Sequence, residues 1–141
     1  YAQVLWLDAI ERKYIEEVGA MNIFFLIGDE IVTPNLTGSI LPGITRYSVI
    51  TLAKKWGMNI SERKISIDEV FQAHEQGKLI EVFGSGTAAV ISPVGEIRYG
   101  DKIISIGDGT PGETAMKFYN ALTEIQYGKA EDSENWIQVI D

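Results

Sequence analysis

Apolar positions along the chain change their spacing several times, and each change marks a new element. Residues 3–7 (QVLWL), 14–18 (YIEEV), 22–27 (NIFFLI) and 30–34 (EIVTP) are short runs rich in β-branched and aromatic residues, the signature of strands. Gly28-Asp29 separates the last two by a pair of turn residues, which predicts a two-residue hairpin. The spacing then lengthens to three and four. Val49, Leu52, Ala53 and Trp56 share one face of a helix that starts near Thr45 and stops at Gly57. A second helix opens with the capping box Ser66-x-x-Glu69, carries Ile67, Val70, Phe71 and His74 on one face, and ends at Gly77. Strand spacing returns at 79–83 (LIEVF), 88–94 (AAVISPV) and 102–106 (KIISI). A third helix is expected from about Glu113 to Tyr127, with Ala115, Phe118, Tyr119, Leu122 and Ile125 inward and Gly128 as its stop. NWIQVI at 135–140 reads as a final strand. The sum is one compact α+β (mixed α/β) unit with no repeats, no low-complexity tract and no linker.

Composition narrows what such a unit does. At 141 residues it can bury a real core, and with 45% hydrophobic and 23% charged residues it is ordinary globular sequence. The net charge of −8, with scattered Lys and Arg, argues against nucleic acid and anionic membrane as partners. With no cysteine there is no disulfide, thiolate metal site or thiol nucleophile. His74 is the only histidine, which excludes a histidine triad or multi-histidine metal site, and it is expected at the edge of the core. No apolar run is long enough to span a membrane. The chain opens inside a strand-like run without Met, so a preceding segment is expected.

Three stretches could carry chemistry. Leu41–Thr45 (LPGIT) runs into the first helix. Its Pro and Gly leave the first backbone N–H groups free, Thr45 suits the N-cap, and the positive helix end would take an anion such as phosphate. Taken alone, loop punctuation and an ordinary cap account for it equally. Phe83–Ala88 (FGSGTA) lies between two strands, where two glycines would let a ligand approach and successive N–H groups can cradle an anion. A tight turn or bulge explains it as simply, and it lacks the context of a Rossmann or Walker loop. The third stretch is EEVGAMNIFF at 16–25, where alternation puts Ile15, Glu17 and Gly19 on one face and Tyr14, Glu16 and Val18 on the other. Periodicity leaves open which acid points inward. Either would need a partner if buried, and two solvated edge acids are the ordinary alternative.

Order and wording join these pieces. QVLWLD, EEVGAMNIFF, GSILPGITR, FGSGTAAVISPVGEI and LTEIQYGK together resemble the branched-chain amino acid aminotransferases, fold-type IV enzymes that use pyridoxal 5′-phosphate, over essentially the whole chain. The resemblance implies the large C-terminal domain of such an enzyme, a pseudo-barrel of strands flanked by helices. Glu17 would contact the pyridine nitrogen, whose protonated form a nearby carboxylate favours. Leu41 would pack on the ring, Gly43, Ile44 and Thr45 would form the phosphate cup, and Gly86-Thr87 would close its second side. Ala20 and the backbone of Thr87 and Ala88 would face the substrate, the last two holding its carboxylate. The implied reaction moves the amino group of leucine, isoleucine or valine to 2-oxoglutarate by ping-pong transamination, in a homodimer, in cytoplasm or mitochondria.

The sequence departs from that pattern at two places. Ala20 stands where close relatives carry Thr, and Ala89 and Ser92 stand where animal relatives carry a redox-sensitive Cys-x-x-Cys pair, so no thiol switch is expected. The family's Schiff-base lysine, in a K-x-G-G-N-Y motif, precedes the VLWLD strand and is therefore expected upstream of Tyr1, along with the small N-terminal domain. Lys13, Lys54, Lys55, Lys64, Lys78, Lys102, Lys117 and Lys129 all lie outside that motif and are expected at the surface. The chain alone is expected to be inactive. Within the same fold a D-amino acid aminotransferase or an aminodeoxychorismate lyase would share Glu17 and both phosphate turns. A non-catalytic short form that dimerises with the full-length enzyme is a reading of a different class.

Overall fold

The computed structural model describes all 141 residues as a mixed α/β unit. Its elements are β1 (Leu5–Leu7), β2 (Ile15–Val18), β3 (Asn22–Ile27), β4 (Glu30–Thr33), α1 (Ile44–Lys55), β5 (Asn59–Glu62), α2 (Ile67–Glu75), β6 (Leu79–Gly86), β7 (Val90–Pro93), β8 (Glu96–Tyr99), β9 (Lys102–Ser105) and α3 (Glu113–Gln126). The main sheet has five strands in the order β5-β4-β3-β6-β7, flanked by the two-stranded pairs β1-β2 and β8-β9. β3 and β4 form the hairpin expected at Gly28-Asp29, with Ile27 opposite Glu30 and Gly28 at positive φ. β4 and β5 run parallel, which requires the crossover that α1 supplies.

After Asn22, β3 is apolar throughout because both of its faces are covered. Ile23 and Phe25 enter one core with α2, β2 and the β8-β9 pair, whereas Phe24 enters the other with α1 and α3. In that second core Phe24 stacks on Phe83 at 5.1 Å, Phe83 meets Phe118 at 5.9 Å, and Phe118 stacks on Trp56 at 5.2 Å. Burying each ring contributes about 1.5–3 kcal/mol, so this column pins α1 and α3 to one side of the sheet.

The helix faces follow the pattern, with one exception. Val49, Leu52 and Ala53 of α1 are buried, as are Ile67, Val70 and Phe71 of α2. His74 lies half-buried at the core edge with Nε2 3.1 Å from the Ser105 carbonyl. In α3, Tyr119 is exposed rather than inward; it sits one position beyond Phe118, off the stripe of Ala115, Phe118, Leu122 and Ile125. The expected strand at 135–140 does not form. The Ile137 N–H donates to the Asp132 carboxylate at 2.7 Å, the segment pairs with no strand, and Val139 and Ile140 stay exposed. Two strands form that the pattern does not announce, β5 (NISE) and β8 (EIRY). Each is short and polar and is defined by its partner strand.

Candidate functional site

Both acids of β2 are engaged. Ile15 and Val18 are buried and hold the strand, while Glu16 and Glu17 are half-buried and reach the loop before α1. Glu16 Oε1 accepts from the Ser39 hydroxyl at 2.6 Å, and Glu17 Oε1 accepts the Leu41 N–H at 2.9 Å. Neither is a free edge charge. Glu17 Oε2 has no protein partner, and no Lys or Arg pairs with this carboxylate. One residue later the chain turns through Gly19 and Ala20, where Val18 and Met21 exchange backbone hydrogen bonds of 2.9 Å. Gly19 takes a φ of +57°, and Trp6 donates its indole N–H to the Gly19 carbonyl at 3.1 Å. The turn therefore fixes Glu17 at the entrance to the central strand.

The α1 start differs from expectation in its cap. The N-cap is Gly43, extended at φ −61° and ψ 139°, and Ile44 is already the first helical residue, so Thr45 lies within the first turn. No side chain caps this terminus and no acid lies in its first turn. The N–H groups of Ile44, Thr45 and Arg46 and the Thr45 hydroxyl have no protein acceptor. Leu41 and Ile44 leave their side chains in solvent, 72% and 83% exposed. Beneath them Arg46 is buried, donating to the Pro34 carbonyl at 3.0 Å and to Glu62 at 2.8 Å. That ion pair ties α1 to β5 and turns the cation away from the open N–H groups.

FGSG proves to be strand, since β6 continues to Gly86 and the turn proper is Thr87–Ala89. The glycines answer to Met21 rather than to a ligand. A Cβ on Gly84 would lie 3.1 Å from Met21 Cε, and one on Gly86 would lie 3.0 Å from Met21 Cγ. The turn itself presents the N–H groups of Thr87, Ala88 and Ala89, none of which reaches a protein acceptor, and all three residues are exposed. It closes on Val90, a β-branched residue at φ +59°. A left-handed valine costs about 1–2 kcal/mol, and such strain is concentrated at sites that bind or react.

The sheet brings the three stretches to one end. Asn22, the first residue of β3, pairs with Ser85 of β6 just before the Thr87 turn. Its amide Nδ2 donates to the Leu41 carbonyl at 2.9 Å, and a Cβ on Gly43 would fall 2.3 Å from its Oδ1. The sequence reading did not single out Asn22, Arg46 or Met21. The available signals were an amide opening an otherwise apolar strand and a cation where a first helical turn usually carries an acid. All eight lysines are exposed, and none donates a hydrogen bond to Glu17 or to the two turns. The largest cavity, about 760 Å³ between β6 and the loop before α3, does not include the site. The site is an open face carrying unpaired N–H donors, one carboxylate oxygen and exposed apolar side chains.

That donor set fits an aromatic, phosphorylated, anionic ligand: a flat apolar seat at Leu41, a carboxylate for a ring N–H, and two groups of backbone donors for anionic oxygens. A profile of Amino-transferase class IV matches residues 1–97. Branched-chain-amino-acid aminotransferase 2 of Bacillus subtilis is 62% identical over 136 residues, which is 96% of this chain and 38% of that protein. The branched-chain-amino-acid aminotransferase of Mycobacterium tuberculosis is 50% identical over 139 residues, with the same coverage. Among solved structures, the Escherichia coli branched-chain amino acid aminotransferase superposes with a TM-score of 0.81 at 33% identity, over 98% of this chain and 43% of that one. The T.th. branched-chain amino acid aminotransferase complexed with N-(5′-phosphopyridoxyl)-L-glutamate also gives 0.81, at 30% identity over 99% of this chain and 42% of that one. The chain thus spans about two-fifths of the length of the relatives it matches, and it belongs to the class IV aminotransferase family.

Proposed function

We propose that this chain carries the ring-nitrogen, phosphate and substrate-carboxylate contacts of a pyridoxal phosphate-dependent branched-chain amino acid transaminase. Leucine, isoleucine or valine would be the amino donor and 2-oxoglutarate the acceptor. The observation that carries the reading is the convergence at one sheet end of a carboxylate with a free oxygen, an uncapped helix start and a donor-rich turn. When bound, the cofactor supplies the electron sink for chemistry at the substrate Cα.

The residues have separable tasks. Glu17 Oε2 holds the proton on the ring nitrogen, and the Leu41 N–H on Oε1 fixes the direction of the carboxylate. The Leu41 side chain seats one face of the ring. The Ile44 and Thr45 N–H groups and the Thr45 hydroxyl bind the phosphate at the positive end of α1, just past the Gly43 N-cap, with the Thr87 hydroxyl beyond Gly86 closing the other side. The N–H groups of Thr87 and Ala88 take the substrate carboxylate, and Ala20, exposed in the turn after β2, faces the substrate without the hydroxyl a Thr would supply. Specificity for branched side chains is inferred from the names of the relatives. The homodimer belongs to the same proposal.

The test is glutamate formation from L-leucine and 2-oxoglutarate by the full-length protein that contains this chain, beside the same assay with D-alanine as donor. Activity with leucine that falls at least about 100-fold in Glu17→Gln, without loss of fold, supports the reading. Activity with D-alanine alone would replace it with the D-amino acid enzyme, and activity with neither would sink it.

A further inference from the structure

We infer that Asn22 is a positioning residue of this site, setting the Glu17 carboxylate and the open start of α1 in one fixed relation through the backbone of Leu41. The inference rests on the cofactor reading above and adds a residue to it. Asn22 is only 6% exposed, at the head of a strand that is otherwise apolar, so its amide must find partners inside the protein. Both ends of that amide face the loop before α1. Nδ2 donates to the Leu41 carbonyl at 2.9 Å, and Oδ1 occupies the space a side chain on Gly43 would need, 2.3 Å from the Cβ position.

Leu41 is where the two halves of the site meet. Its N–H donates to Glu17 Oε1 at 2.9 Å, and its carbonyl accepts from Asn22 and also from the Gly43 N–H at 2.9 Å. With two donors on that oxygen its acceptor capacity is filled and its direction is set. The carboxylate is therefore aimed by a residue that is itself clamped to the central strand, and the same clamp lies against the N-cap of α1. Remove the amide and the loop keeps its ties through Glu16 and Arg46, which sit on either side of Leu41 but do not hold it. The ring-nitrogen contact and the phosphate contacts then lose their common reference.

A strand-initiating Asn with only a structural task would lower stability and leave ligand binding alone. A coupling measurement separates the two roles. In the full-length protein, the affinity for pyridoxamine 5′-phosphate, which needs no covalent attachment, would be measured for wild type, Glu17→Gln, Asn22→Ala and the double variant. Thermal unfolding without ligand is recorded alongside. Thr33→Val is the control: it removes another buried hydrogen bond of β3, from Thr33 Oγ1 to the Ile23 carbonyl at 2.7 Å, on a group unconnected to Leu41. Each site variant should weaken binding about tenfold. The double variant should fall short of the product of the two losses by at least about threefold, because both undo the same arrangement. Thr33→Val should lower the unfolding midpoint and leave affinity unchanged. Should Asn22→Ala fail to fold, Asn22→Ser carries the same expectation. Unchanged affinity in the Asn22 variant, or losses that multiply, overturns this inference while the cofactor reading stands. A wild-type protein that binds no pyridoxamine 5′-phosphate overturns both.

Discussion

The three helices begin in different ways, and the difference separates structure from binding. α2 starts at Ser66, whose hydroxyl accepts the Glu69 N–H at 3.0 Å, with Asp68 and Glu69 in its first turn. α3 starts at Gly112 and is closed by a carboxylate from the sheet: Glu81 accepts the Thr114 and Ala115 N–H groups, each at 2.9 Å. α1 has neither a side-chain cap nor an acid in its first turn. An uncapped start forgoes about 1 kcal/mol. In this protein the cost falls only at the helix that faces Glu17, which is what a helix kept open for an external anion requires.

The largest effect should come from opening a closed start. Glu81 is buried in the centre of β6, and Gly112 makes room for it, since a Cβ there would fall 2.1 Å from the carboxyl carbon. Glu81→Ala leaves one buried and one half-buried N–H group without an acceptor and should destabilise the protein by about 3 kcal/mol in urea unfolding. Glu81→Gln keeps one acceptor oxygen and should lose about 1 kcal/mol. Equal losses in the two variants would mean that Glu81 acts through packing and not as a cap. Ser66→Ala should cost about 1 kcal/mol, in the range for an N-cap hydroxyl.

Acidification tests the surroundings of α2. Arg63 bridges Glu69 of its first turn at 2.7 Å and Glu30 of β4 at 3.0 Å. The hydrogen bond from Arg63 holds the Glu30 carboxyl below its ordinary value of 4.5, against a smaller upward push from burial. A carboxyl depressed on folding contributes stability above its unfolded value and loses it as pH falls through the folded one. The contribution, about 0.5 kcal/mol for a pair this exposed, should therefore vanish on the acid side of the ordinary carboxylate range. Arg63→Gln should remove that part of the pH slope, and an unchanged slope would assign it to other acids.

These starts also show what was legible in the sequence. Half of the capping box at Ser66 was readable because its partner is three residues away; the Glu69 side chain turns instead to Arg63, six residues back. The Glu81 cap on α3 spans 33 residues and the Asn22 bond to Leu41 spans 19, so no local pattern announces either. Hydrophobic spacing found the three helices and the strands of the central hairpin, because burial against one face dictates period directly. It missed β5 and β8, whose residues are polar and whose strand form is imposed by pairing, and it supplied a last strand at 135–140 where the Asp132 carboxylate takes the Ile137 N–H instead. For the site, spacing left Glu16 and Glu17 equivalent and the LPGIT and GSGT turns ordinary. The resemblance to a family gave them roles, and the structure added the residues that hold them together.

The smallest change in stability gives the sharpest form of the comparison. Ile44 is the first residue of α1 and its side chain lies in solvent, so Ile44→Asp introduces an acid with little disturbance of packing. If α1 is open only because its sequence lacks a cap, the variant should resemble α2: more stable by about 0.5 kcal/mol from the favourable charge at the helix start, with no other consequence. If the open start serves an anion, the same carboxylate should compete for the N–H groups of Ile44 and Thr45 and weaken pyridoxamine 5′-phosphate binding by at least about tenfold, while the unliganded protein still gains about 0.5 kcal/mol. Ile44→Asn changes the side chain without the charge and should weaken binding less. Opposite signs for stability and affinity in the Asp variant would show that the unfilled cap is kept for the ligand. A gain in stability with unaltered binding would place the phosphate elsewhere.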